Sequence, residues 1–446
     1  MMKIVFLGAS GTVTGSGYFL SNESGKGLLI DFGMFQRIHE TPELNSSVPS
    51  IDAKNIGGVV LTHAHLDHCG RLPILIRMGY AGKIYMTKPT QLLVELALND
   101  AVRVAEKNHN EPLYTQDDVY QTLRQIEIIE YDQMFKVNNY AVTFRDAGHI
   151  LGSASIEIKD SDATIVFSGD LGNTPQDLVR PTEYMKHADF VVMESTYGDK
   201  IHPQEDVRSI LQSEVNGVEK SGGVLLIPAF SLDRTQDLLH VFNHLKKDGK
   251  IAQETSVYLD SPMGIRATAI YEEFPELYSD ELKAHAKEEN PFHFPGLTMV
   301  EDGKESKNLQ ESDGPKVIIA GNGMMAGGRI MRHASVYLPY ATTRLLIVGY
   351  QAEGTLGRKL LEGAKQVMID NRTVIVRASV TEIKTMSAHA DQPKLLHWLK
   401  QINGVKKVFL THGEDVSRTA LMEKIKEELH ITDITLPKVD DVFTLS

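Results

Sequence analysis

The sequence predicts an α/β protein in which one α/β domain is interrupted by a second, and three observations carry that prediction. Short apolar runs separated by turns fill about the first two hundred positions and stop directly on polar residues. From about residue 205 a strand-then-helix unit repeats. After Arg377 the earlier pattern returns. The expected divisions are residues 1–204 as the first part of one domain, 205–376 as the inserted domain and 377–446 as the second part of the first.

The elements follow in order. Met1-Met2-Lys3-Ile4-Val5-Phe6-Leu7-Gly8 reads as a first strand, too short and too interrupted by glycine for a signal peptide. Leu28–Ile30, Val59–Leu61, Ile84–Met86, Ile165–Phe167 and Phe190–Met193 read as further strands. A long amphipathic helix is expected from Pro89 to near Asn108, with proline where an N–H is dispensable and Thr87 placed to cap it. Asp31, His63, Asp170 and Glu194 each follow a strand directly, and α/β proteins build sites where strand C-termini converge. In the insertion, Val224–Ile227 leads into a helix from Asp233, and Val257–Leu259 leads through Asp260-Ser261-Pro262 into another. Val317–Ala320 leads through Gly321-Asn322-Gly323-Met324 into a third, and Leu345–Val348 leads toward Leu356–Leu361. Apolar strands alternating with helices imply a parallel sheet with crossover connections. The acidic stretch 301–315 reads as a surface loop. A last helix is expected at about 391–402, then a strand, Val408–Leu410, ending at Thr411-His412.

Composition bounds where such a protein works. Its 446 residues exceed one ordinary domain, and 42% hydrophobic with 24% charged residues is a globular balance. Cys69 is the single cysteine, so no internal disulfide forms, which favours a reducing compartment. No apolar run reaches membrane-spanning length, so a cytoplasmic protein without membrane partners is expected. The net charge of -13 argues against nucleic acid, but it is uneven. Residues 316–384 hold ten Lys/Arg against four acids, a net of +6, leaving -19 elsewhere. Taken alone, such a run is equally a solvated face.

The densest chemistry is His63-Ala-His65-Leu-Asp67-His68. Imidazole and carboxylate are the ligands zinc accepts, and catalytic zinc sites leave a position open for water. His149, Asp170 and His412 stand at further strand ends; singly, each also reads as a hydrogen-bonded loop residue. Together they fit two ions. His63, His65 and His149 would hold one zinc, Asp67, His68 and His412 the other, and Asp170 would bridge them, the layout with which paired metals activate water. Asp31 is placed to orient a ligand imidazole. Glu194 beside His389 would raise that imidazole's basicity, as a proton donor to a leaving oxygen requires, although Glu194 alone also reads as a surface acid.

This set resembles the metallo-β-lactamase superfamily. The resemblance implies an αββα sandwich, and the separation of 242 positions from Asp170 to His412 looks like room for an inserted β-CASP domain, a parallel sheet flanked by helices. Glu194, His389 and His412 match that group's three additional motifs in order. Pro228-Ala-Phe-Ser-Leu-Asp-Arg-Thr-Gln236, Leu259-Asp-Ser-Pro262, Gly323-Met-Met-Ala-Gly-Gly-Arg329 and Gly354-Thr-Leu-Gly-Arg358 are similar to its insertion signatures. Histidine at 412 is similar to RNA-acting rather than DNA-repair members. Ala147-Gly-His-Ile-Leu-Gly-Ser153 looks like the cleavage-and-polyadenylation nuclease subunit and its prokaryotic relatives. RNase J differs around that histidine, and the 34 residues after His412 leave no room for its C-terminal domain. The N-terminal RNA-binding extensions of archaeal relatives are likewise not expected.

The resemblance therefore implies a zinc-dependent endoribonuclease carrying two zinc ions. A bridging hydroxide would attack phosphorus, with Asp67, Asp31, Glu194 and His389 in catalytic roles. RNA would lie between the domains, with Arg234, Arg329, Arg358 and Ser387 as candidate contacts, each arginine equally a structural partner for an acid. A 5′-3′ exoribonuclease, an ester, lactone or thioester hydrolase, and a non-catalytic scaffold are the alternatives; scaffolds lose ligands, whereas all seven stand here. A homodimer is compatible with this reading.

Overall fold

Continuously apolar strands need cover on both faces, and the first unit supplies it. The computed structural model describes residues 2–22, 26–36, 41–46, 51–107, 112–161, 163–174, 176–312, 314–352 and 354–445. The chain divides into one unit ending at Ile201 and resuming at Ala388, and another spanning His202–Ser387.

The first unit contains two seven-stranded sheets. One runs in the order Val442–Leu445, Met2–Phe6, Tyr18–Ser21, Gly27–Ile30, Ile56–Val60, Ile84–Met86, Ile126–Ile128. The other runs Ile434–Thr435, Lys407–Thr411, Phe190–Glu194, Thr164–Phe167, Ala154–Lys159, Tyr140–Asp146, Phe135–Val137. Alternation along Phe190–Glu194 explains the layers. Phe190 and Val192 enter a core shared by both sheets, with Phe6, Tyr18, Ile30, Phe167 and Phe409. Val191 and Met193 point the other way, against Leu395, Trp398 and Leu399 of helix Gln392–Lys400 and Leu421 of helix Asp415–Leu429. Each such side chain contributes about 1.5–3 kcal/mol by leaving water. With helices Leu72–Arg77, Lys88–Lys107 and Gln116–Arg124 beside the first sheet, the unit is an αββα sandwich. The long helix begins at Lys88, and Thr87 caps it by accepting from the Thr90 N–H at 3.3 Å. Its expected end near Asn108 lies outside the described residues.

The late strand Lys407–Thr411 is central. It pairs in parallel with Phe190–Glu194, setting Thr411 opposite Glu194. The two parts of the first unit thus close one sheet.

The second unit is a six-stranded, wholly parallel sheet in the order Leu297–Met299, Ser256–Asp260, Lys316–Ala320, Val224–Pro228, Arg344–Ile347, Ser379–Glu382. Helices enter after its strands, one from Arg234 with Asp233 as its N-cap and another from Pro262 with the Ser261 hydroxyl accepting from Gly264 N at 3.2 Å. One expectation is corrected. The stretch 301–315 is not loop throughout: Asp302 caps a short helix, Gly303–Asn308. Ser379–Glu382 pairs with Arg344–Ile347 as the edge of the inserted sheet, and by contacts the first unit resumes at Ala388. Among the described residues no helix is long and apolar enough to cross a membrane.

Candidate metal centre

Four strand ends in the two sheets of the first unit carry the candidate ligands. Strand Ile56–Val60 runs into Thr62 and His63, and His65 is the N-cap of helix Leu66–Cys69, which presents Asp67 and His68. Gly33 permits this, since a Cβ there would collide with the Asp67 carbonyl. His149 stands in the turn between Tyr140–Asp146 and Ala154–Lys159, Asp170 just beyond Thr164–Phe167, and His412 directly after Lys407–Thr411. Asp31 and His412 both adopt left-handed backbone, at φ 55° and 48°, which non-glycine residues hold at a cost of about 1–3 kcal/mol and which clusters at functional sites.

The side chains converge as two groups. His63 Nε2 lies 3.1 Å from His65 Nδ1, His149 Nε2 lies 3.3 Å from His65 Nδ1, and Asp170 Oδ2 is 3.4 Å from His63 Nε2 and 3.7 Å from His149 Nε2. A tetrahedral ion about 2.0–2.1 Å from each ligand holds its ligands about 3.3 Å apart, so the spacing fits. Beside it, Asp67 Oδ2 is 3.4 Å from His412 Nε2, and His68 Nε2 is 3.3 Å from the other Asp170 oxygen, Oδ1. Asp170 thus offers one oxygen to each group. Its Oδ1 is buried and accepts no hydrogen bond among the described residues, which a second cation would remedy.

Hydrogen bonds behind the ligands aim their lone pairs inward. Asp31 Oδ2 accepts from His68 Nδ1 at 2.8 Å and from the Thr62 hydroxyl at 2.9 Å, and Thr62 Oγ1 lies 3.0 Å from His63 Nδ1. Asp31 therefore sets two rings, one directly and one through Thr62. His149 Nδ1 donates to Ala388 O at 3.2 Å, and Thr196 Oγ1 stands 3.0 Å from His412 Nδ1. Thr62 and Thr196 were not singled out from the sequence; their adjacency to His63 and to Ser195-Thr196-Tyr197 is the only signal it offers.

Electrostatics follow from burial and mixed charge. Burial pulls His63 and His149 well below the ordinary imidazole range and His65 down to about 4, leaving neutral rings suited to a cation. For His68 burial opposes the charge, yet Asp170 and Asp31 raise the ring well above its usual value. Asp170 is buried too, and the surrounding imidazoles, His412 first, hold it well below the carboxylate range. His389 sits beside the ligands. Burial works against its charge, but Glu194 and Asp170 lift it to about 9. Its Nδ1 is 3.3 Å from Glu194 Oε1, and the same oxygen accepts from Leu171 N at 2.6 Å, so Glu194 is held by backbone.

The candidate RNA contacts lie in the second unit and are differently engaged. Arg234 is buried and paired with Asp237. Arg329 donates to Asp260 Oδ1 at 2.6 Å and to the Val300 and Glu301 carbonyls. Arg358 is exposed, with Glu362 at 2.7 Å, and Ser387 is half-buried. Internal partners thus occupy Arg234 and Arg329.

Comparison with known proteins matches three domain descriptions in sequence order: a Beta-lactamase superfamily domain over residues 28–214, a Beta-Casp domain over 235–360 and a Zn-dependent metallo-hydrolase RNA specificity domain over 373–437. The chain is 39% identical to a ribonuclease of Thermus thermophilus, covering 94% of this chain and 95% of that one. It is 32% identical to the transcription termination factor FttA of Cenarchaeum symbiosum, covering 93% of this chain but 66% of that one. A crystal structure of a protein of unknown function from Enterococcus faecalis shares the fold at a TM-score of 0.55 and 14% identity over 99% of both chains.

Proposed function

Because the chain belongs to the β-CASP family of the metallo-β-lactamase superfamily, we propose that it is a zinc-dependent ribonuclease that hydrolyses internal phosphodiester bonds of RNA. One observation carries the reading: Asp170 presents a different oxygen to each of two His/Asp groups, and the inner one lacks any hydrogen-bond partner among the described residues. His63, His65 and His149 would hold one zinc ion and Asp67, His68 and His412 the other, with Asp170 shared. When bound, such a pair makes a water acidic enough to attack near neutral pH and offsets charge developing on phosphate.

The chain's own residues supply the rest. Asp31 fixes His68 directly and His63 through Thr62, so the ligand set is oriented before substrate arrives. Glu194, pinned by Leu171 N–H, steadies a protonated His389, which hands its proton to the departing ribose oxygen. The names of the Thermus ribonuclease and of the RNA specificity domain support RNA as the substrate class.

Purified protein loaded with zinc and given RNA labelled at the 5′ end and internally tests the reading. Internal fragments from a substrate with blocked ends are expected. Release of 5′ mononucleotides alone would make it a 5′-3′ exoribonuclease. Inert RNA alongside turnover of an ester or thioester would move it to another hydrolase class.

A further inference from the structure

The second unit carries another set of converging imidazoles. His240 and His244 stand one turn apart on helix Arg234–Lys247, a spacing that places both on one face, and His285 comes from helix Asp280–Ala286. His240 Nε2 is 3.0 Å from His244 Nε2 and 3.1 Å from His285 Nδ1. One nitrogen of each ring lies within 4.8 Å of the other two. His240 and His285 are buried, and His244 is half-buried.

Hydrogen bonding makes weak use of this arrangement. A ring nitrogen of neutral imidazole carries either a proton or a single in-plane lone pair. His240 Nε2 therefore serves one of its two neighbours or shares a single proton between both in a three-centre contact. A cation accepts all three lone pairs at once.

His285 is prepared for that role. Its Nε2 lies 3.0 Å from Glu289 Oε1, which places the proton on that nitrogen and leaves Nδ1 bare toward the cluster. Glu289 is in turn held by Lys247 Nζ at 3.1 Å. A carboxylate behind a histidine is the usual support of a metal ligand. Arg208 and Lys247 are nearby charges opposing a cation; Glu281 Oε1, 2.9 Å from Arg208 Nη2, offsets the first, and Glu289 offsets the second.

We propose that His240, His244 and His285 form a separate site for one divalent transition ion of the zinc type, tying helix Asp280–Ala286 to helix Arg234–Lys247. Three imidazoles suit zinc and its borderline neighbours rather than magnesium or calcium, and they leave a fourth position for water. A helix of seven residues has little stability of its own, so a cross-link there has a structural use. The site is independent of the nuclease reading.

Zinc is the probe. Wild type, His244→Ala and the more conservative His244→Gln are loaded with zinc, freed of excess by gel filtration and analysed for metal, with circular dichroism checking the fold. The same substitutions are repeated in a His63→Ala/His149→Ala background, where the first-unit centre is disabled. Each His244 substitution is expected to remove one zinc per chain in both backgrounds and to abolish part of the zinc-induced rise in melting temperature. RNA cleavage by His244→Ala should stay within about twofold of wild type. Equal zinc content in folded wild type and folded His244 variants, in either background, overturns the site.

Discussion

His389 decides between two chemistries at the first-unit centre, because its ring reaches both a carboxylate partner and the shared Asp170. If it supplies a proton rather than holding metal, His389→Ala should keep both zinc ions and still bind RNA, while cleavage falls by about 10²–10⁴-fold. Glu194→Gln should cost less, since Leu171 N–H and the ring still position that side chain. The double substitution should be little worse than His389→Ala, as groups acting together are non-additive. Single-turnover cleavage beside elemental analysis checks this; loss of a zinc with His389→Ala would make it a ligand. At this scale the sequence exposed the seven candidate ligands because four lie in one six-residue motif and the others directly follow apolar strands. Thr62 and Thr196 stayed hidden, since a threonine's role depends on which ring folds against it. The cluster at His240 stayed hidden because His285 arrives from another helix, 45 positions away.

Single elements show how the site is braced. The hydroxyls of Thr87 and Thr90 both donate to Gly152 O, at 2.7 and 2.8 Å, so the start of helix Lys88–Lys107 holds the turn that carries His149. Thr87→Val should cost about 1–2 kcal/mol in urea unfolding by removing a cap and a buried hydrogen bond, and should weaken zinc retention. An unchanged midpoint would mean that the helix start does not brace the turn. The Asp260 carboxylate does comparable work in the inserted sheet, accepting from Arg329, His333 and Ser306 at 2.6 Å each. Burial pushes its carboxyl up, but the His333, Ser306 and Arg329 hydrogen bonds prevail and hold it below the ordinary range. A depressed carboxylate stabilises the fold above the unfolded value of about 3.9, and that stability is lost as pH falls through the folded value. Asp260→Asn should therefore cost about 3 kcal/mol at pH 7, with the gap to wild type closing below about pH 4 in denaturation curves. A pH-independent gap would remove the charge from the explanation. Helix Gly303–Asn308 escaped the sequence reading because an acidic, glycine-containing stretch has no apolar periodicity, and its Asp302 cap looks like any loop aspartate.

At the scale of the molecule, the first-unit ligands come from both sheets and from both sides of the insertion. Bound ions would therefore cross-link segments already joined by the shared core and by the pairing of Phe190–Glu194 with Lys407–Thr411. Stripping metal with a chelator should abolish cleavage and lower the melting temperature by several degrees, with zinc restoring both, as expected when a ligand binds only the folded state. A metal-free chain melting at the loaded temperature would exclude such a cross-link. A change from turn-separated strands to strand–helix repeats marks the insertion in the sequence. Ser379–Glu382 leaves no such mark: it is a half-exposed edge strand whose place in the inserted sheet is set by pairing with Arg344–Ile347, which no local pattern records.

The parallel pairing of Phe190–Glu194 with Lys407–Thr411 has a consequence in time as well as in space. Ser195 donates to the Thr411 carbonyl across 216 positions of chain. At synthesis rates of about 5–20 residues per second, a ribosome needs roughly 10–40 s to deliver those positions, long enough for the intervening unit to fold first. Until then His412 does not exist beside Asp67. A chain still being translated, next to its own messenger, is thus born without a finished centre.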